Sequence, residues 1–318
     1  MKRILVVAAL VLATSASASK AGGNAVALIT AEQQNQLISL ELSSGKVLRR
    51  VSLPADPQGL AVGQTTLMVA SPAAGAVTLL SQGPGRLKIL RIWRDFGAPH
   101  IVLVDPLRTL AYVTDDSRGE LSVIGLGARR IVARVFVGAG AHHMTLGPGG
   151  HRLWIALGEH ASGIAIVDVT NPFRPWVVRR IPLPFVAHDL AFDPDGRRVW
   201  VSSGVGDSLH VLNARTGREA FAVRVGTPPQ HVVFSDGRYF AFATSGYSGQ
   251  ILKIDPNTGR VLARAKTPYG SFNLSAIGSL VVTTSLLNGI VTEFDENLRR
   301  MRTIKAASAA RSVALTVW

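Results

Sequence analysis

Short apolar, β-branched runs alternate with polar turns along nearly the whole chain. The unit is clearest in Leu110–Gly125 (LAYVTDDSRGELSVIG), where two such runs flank a polar turn and read as a hairpin. Altered copies begin at Thr66, Leu153, Val199, Tyr239 and Leu280, with a worn copy at Val26. Self-similarity at a period of about 40 residues means stacked or radial repeats, each covering a sheet face of its neighbour. Alignment of the copies gives four strands per unit: a short strand a after Pro or Ala, a YVT-like strand b, a SVIG-like strand c, and a basic strand d. Strand a begins at Gln58, His100, His142, His188, Gln230, Phe272 and Arg311.

The turns repeat as well. Gly147–Gly150 and Asp193–Gly196 stand between strands a and b, as type I or II turns require. Gly45, Gly217 and Gly259 close the c–d turns, where a positive φ is needed. An insertion at Thr170–Trp176 carries two prolines, which suit a c–d loop and not a strand. No segment beyond the N-terminus sustains a 3.6-residue apolar period, so no helix is expected there. The first unit offers only b, c and d (Val26–Ile29, Leu37–Leu42, Val47–Leu53), while Ser312–Val317 is a strand a with nothing after it. Joining the two ends completes a seventh unit and removes the open sheet edges. The expected fold is all-β: a seven-bladed β-propeller of four-stranded blades, closed when the C-terminal strand joins the first blade. It forms one domain over residues 19–318.

Composition adds three constraints. Lys2 and Arg3, the apolar run Ile4–Ala13 and the Ala16-Ser17-Ala18 site read as a signal peptide over residues 1–18. The expected location is therefore outside the cytoplasm (periplasmic, cell-envelope or secreted), with nothing spanning the membrane after cleavage. The absence of cysteine excludes disulfides, thiolate metal sites and a cysteine nucleophile. The net charge of +14 comes in small basic groups on the d strands, among them Arg49-Arg50, Arg179-Arg180 and Arg299-Arg300. Charge spread along sheet edges guards against edge-to-edge pairing. Without an aromatic-rich basic groove it disfavours specific nucleic-acid binding. A monomer is expected.

Tyr112-Val113-Thr114-Asp115 with Ser122-Val123-Ile124, and the turn Asp193-Pro194-Asp195-Gly196 leading into Val199-Trp200-Val201, resemble the YVTN-type propeller repeat family. The resemblance implies an exported seven-bladed propeller. Such propellers serve as binding platforms, cofactor-enzyme domains, and lyases or lactonases, so fold alone does not name the activity.

Candidate chemistry gathers on one face. In a propeller of this kind strand a lines the central channel, and its start opens beside the b–c loops. His100, His142 and His188 share the first position of strand a; His143 and His231 share the next, with Asp189 between them. The b–c loops add Asp115, Asp116, Glu159, His160, Asp207 and Tyr247, whereas His151 and His210 fall elsewhere. Three imidazoles (His100, His142, His188) converging on a channel mouth could hold a divalent first-row metal with an open position. Glu159 or Asp189 would then be candidate bases, and Arg311 would hold an anionic group. Duplication alone could also place a histidine at one structural position in several blades. No Gly-rich phosphate loop, G-x-S-x-G elbow or H-E-x-x-H motif is present. The expected function is an exported binding or interaction module that receives a small ligand or protein partner at a mouth lined by His100, His142, His143, His188, His231 and Arg311. The alternatives are a metal-dependent hydrolase or lyase and a basic cell-envelope adhesion protein. A copper-cluster oxidoreductase is a more distant alternative, since the His-rich reductases carry a further electron-transfer domain.

Overall fold

The computed structural model describes residues 24–158, 162–226, 228–229, 231–235 and 240–318. Residues 1–18, expected to be a signal peptide, lie outside the described residues, as do Glu159, His160 and Gln230. The chain forms seven antiparallel four-stranded sheets, each ordered a-b-c-d from the centre outward. Blade 1 takes its inner strand from the C-terminus: Val313–Val317 pairs with Ala25–Ala31, followed by Gln36–Glu41 and Val47–Ser52. The inner strands of blades 2 to 7 are Leu60–Val62, Pro99–Val104, Met144–Leu146, Ala187–Phe192, Val232–Phe234 and Ser271–Ile277. Each inner strand contacts the inner strands on both sides, so they close a ring around the axis. Closure pairs the edges that a linear stack would leave open.

Strands b and c are buried almost throughout, because each is covered by the neighbouring blade on either face. Seven apolar clusters result, one at each blade–blade junction. Trp154 and Trp200 fill two of these junctions and are buried, as packing between blades demands. In all seven blades the c–d pairing slips at an equivalent position, between Val123 and Ile124 in blade 3 for example. A bulge at that point bends and twists the outer strand.

The insertion forms a c–d loop over 169–175, as its prolines require, and Trp176 already begins strand d opposite Asp168. Helix is not wholly missing: the b–c loops of blades 1 and 2 each contain a single 3-10 turn, Glu32–Gln34 and Pro72–Ala74. A left-handed residue ends each turn, Asn35 and Gly75 respectively. One turn is too short to leave a periodic signature in the sequence. No helix among the described residues is long and apolar enough to cross a membrane.

The basic outer strands do more than protect edges. Arg49 donates to the Gly85 carbonyl of the next blade at 3.0 Å, and Arg50 to the Ala306 carbonyl of the preceding one at 2.9 Å. Arg179 and Arg180 repeat the pattern toward Arg215 and Val137. Arg300 and Arg302 reach Lys266 and Leu42. These guanidinium groups brace one blade against the next through backbone acceptors, which uses much of the charge inside the fold.

Candidate functional site

Backbone geometry at the start of the inner strands brings the histidines together. In blade 4 regular pairing begins only at Met144, so His142 and His143 precede the strand and escape its strict alternation of faces. Pairing slips between Pro99 and Val102 in blade 3 and between Ala187 and Leu190 in blade 5. His100, His188 and Asp189 therefore sit in irregular backbone, where adjacent residues turn toward one place. Gly59 permits close approach of blade 2, since a Cβ there would stand 2.2 Å from the His100 carbonyl oxygen.

Five imidazoles converge. His100 and His142 stack with ring centroids 3.8 Å apart. His143 lies 5.2 Å from His100, 5.0 Å from His142, 4.6 Å from His188 and 4.9 Å from His231. Two compact sets of ligand atoms emerge, His100/His142/His143 and His143/His188/His231, each with its three atoms within 4.8 Å of one another. The column His100, His142 and His188 is thus interleaved by His143. His188 stands 5.3 Å from His142 and groups with His143 and His231.

Carboxylates hold the rings. Asp116 Oδ2 is 3.1 Å from His142 Nδ1. Asp189 Oδ1 is 3.1 Å from His143 Nδ1, and its Oδ2 is 3.3 Å from His231 Nδ1. Asp189 is itself fixed: Val232 N–H donates to its Oδ2, and its own N–H donates to Ser202 Oγ. A carboxylate accepts only from N–H, so Nδ1 carries a proton in these three rings, and Nε2 is the atom whose lone pair the neutral imidazole offers to a metal. Such carboxylate–histidine pairs are the usual outer support of an imidazole that binds metal.

Burial pushes His100 well below the ordinary imidazole range, reinforced by His142, His143, His188 and the Arg311 charge. Burial likewise lowers His143, with His231, His142 and Arg311 adding to it. His188 is lowered by burial and then by its imidazole neighbours, against the opposing pull of Asp189. These three rings are neutral at neutral pH, the form in which imidazole binds a metal.

The remaining candidates have other duties. Asp115 anchors its loop by accepting from Gly97 N–H at 2.7 Å and Ala98 N–H at 3.0 Å. Asp207 pairs with Arg224 at 2.6 Å. Arg311 Nη1 lies 3.5 Å from Glu32 Oε2, whose carboxyl is raised by burial despite that cation. Tyr247 packs against Phe272 and Tyr269 at 5.0 and 5.8 Å. His210 bonds Glu219 and stacks on Phe185, away from the cluster. Both Asp189 oxygens are engaged, Oδ1 by His143 and Oδ2 by His231 and the Val232 N–H, so this carboxylate orients two rings. The part that sequence reasoning missed is the central place of His143. The only hint was the doublet His142-His143 at a strand start.

No protein-family model matches the chain, and no curated protein matches it in sequence. Solved structures do match in fold. A protein from Lactobacillus plantarum superposes with TM-score 0.79 at 13% identity, covering 92% of this chain and 99% of that one. A putative 6-phosphogluconolactonase from Bacteroides fragilis gives TM-score 0.77 at 13% identity over 94% and 99% of the two chains. Apo AztD from Citrobacter koseri gives TM-score 0.72 at 12% identity over 93% and 99%. At such identities the likeness is one of architecture: the chain is a seven-bladed β-propeller, on a scaffold that its neighbours put to different uses.

Proposed function

We propose that this chain is an exported binding module whose ligand at the channel mouth is a divalent first-row transition metal. The observation that carries the reading is the convergence of five imidazoles, three of them with Nδ1 held by a carboxylate. An all-nitrogen donor set without thiolate or thioether suits Zn²⁺, Cu²⁺ or Ni²⁺ better than Mg²⁺ or Ca²⁺, which prefer oxygen. Zinc–imidazole bonds are about 2.0–2.1 Å, so either set needs only side-chain adjustment to close on an ion. The resemblance to the YVTN-type repeat and the composition of residues 1–18 support an extracytoplasmic setting. The commitment of Asp189 to orienting its two imidazoles favours binding over the hydrolase or lyase alternative.

The direct test is metal analysis of protein purified without an affinity tag, beside a variant with all five histidines changed to Ala. Near-stoichiometric transition metal, lost in the variant, supports the reading. Metal-free protein that also fails to take up added Zn²⁺, Cu²⁺ or Ni²⁺ overturns it.

A further inference from the structure

Resting on that metal-binding reading, we infer that the five histidines hold one ion, not two, in two alternative tripods that share His143, and that His143 passes the ion between them. The two ligand sets have this one residue in common. His143 is also the ring that neighbours each of the other four.

Exclusivity follows from the tautomer. Asp189 Oδ1 holds His143 Nδ1 as N–H, which leaves Nε2 as the single lone pair on that ring. One lone pair binds one ion. Simultaneous occupation of both tripods would require His143 to lose its second proton and bridge as imidazolate, against the carboxylate that accepts that proton. The tripods therefore compete for the same nitrogen.

The competition is balanced. In the tripod His100/His142/His143, two rings are carboxylate-held, by Asp116 and Asp189. In the tripod His143/His188/His231, two rings are again carboxylate-held, both by Asp189. Equivalent outer support gives neither set a decisive advantage, so both are populated. The ion exchanges His100 and His142 for His188 and His231 while the bond to His143 persists. The step is short, because the two sets adjoin: the His142 and His188 ring centroids are 5.3 Å apart. His143 is suited to the pivot: it is 4% exposed, and its partner Asp189 is tied to Val232 and Ser202.

The test is Co²⁺ titration of the full chain, followed by its visible absorption, with stoichiometry checked by equilibrium dialysis. Wild type is expected to take one Co²⁺ per chain. A His100→Ala/His142→Ala double variant and a His188→Ala/His231→Ala double variant are each expected to retain one Co²⁺, within about tenfold of wild-type affinity, since each keeps one alternative state. His143→Ala is expected to weaken binding by more than the roughly 10–100-fold that loss of an outer-shell partner costs. His143→Gln, which keeps a polar group beside Asp189, serves as the second variant if Ala perturbs folding, and thermal unfolding reports on both. Two ions per wild-type chain overturn the inference. So does loss of binding in either double variant as complete as in His143→Ala. Failure of wild type to bind any Co²⁺ would instead sink the metal-binding reading itself.

Discussion

The channel mouth has two unlike arcs built on one backbone plan. On one side, blades 3 to 6 present the five imidazoles and their carboxylates. On the other, the equivalent first positions carry Phe272, Arg311 and Gln58. The plan is the same in both. Thr114 donates its hydroxyl to the His142 carbonyl at 2.6 Å, Thr284 to the Arg311 carbonyl at 3.1 Å, and Thr30 to the Gln58 carbonyl at 3.2 Å; Thr244 makes the same bond to Phe272. A strand-b threonine of one blade thus holds the first residue of the next inner strand by its main chain. The structural demand at this position is met without the side chain, so imidazole, phenyl, guanidinium and amide all fit there. Histidines clustered on one arc alone are not what the scaffold requires, and duplication does not explain why the other arc lacks them.

The sharpest test of that contrast is Asp189→Asn. It replaces one of the two oxygens that orient His143 and His231 by an amide N–H donor and removes the charge, and metal affinity is expected to fall roughly 10–100-fold. Asp116→Asn orients only His142 and should cost less, both read by titration calorimetry with Zn²⁺. Next come the threonines. Thr114→Val and Thr284→Val each leave a buried carbonyl without its donor, for an expected loss of about 1–3 kcal/mol in denaturant unfolding. Thr114→Val should cost the more, because Thr114 Oγ1 also accepts from the Ile101 N–H at 3.1 Å, and only Thr114→Val should also weaken metal binding. Equal effects on metal would break the comparison.

A smaller effect is expected with pH. His100, His143 and His188 are held below their ordinary value of 6.5 by burial and by one another. The unfolded chain therefore takes up protons that the folded chain refuses. Stability is full above about pH 6.5 and declines as pH falls from there toward the lowered folded-state values. Thermal unfolding of metal-free protein should occur at lower temperature near about pH 5.5 than near about pH 7.5, and His188→Gln should blunt the difference. The smallest effect belongs to the opposite arc. Arg311→Ala removes a cation that bears on His100 and His143 and should tighten metal binding by about threefold or less, since the group is partly solvated. A marked loss of binding would instead place Arg311 in the site.

Much of the architecture is legible in the chain alone. Blade number, strand order and the c–d loop that carries Pro172 and Pro175 follow from local pattern: apolar runs too short for helix, Gly where φ must be positive, proline where pairing must stop. The closure of Val313–Val317 onto Ala25–Ala31 follows from counting strands, because an incomplete first unit and a lone last strand leave one solution. These are statements about periodicity, and periodicity survives in one dimension.

The candidate site is different in kind. Alternation would send His142 and His143 to opposite faces, and likewise His188 and Asp189. Only the late start of pairing at Met144 and the slip between Ala187 and Leu190 turn both members of each pair inward. Nor does spacing reveal that Asp189 serves two rings from different blades, or that Arg49 and Arg50 reach opposite neighbours. Those relations depend on the distance between blades across the axis and on a backbone that leaves regular geometry over two or three residues. Neither leaves a repeat in the sequence, so the repeat predicts the ring, and tertiary contact decides what the ring can hold.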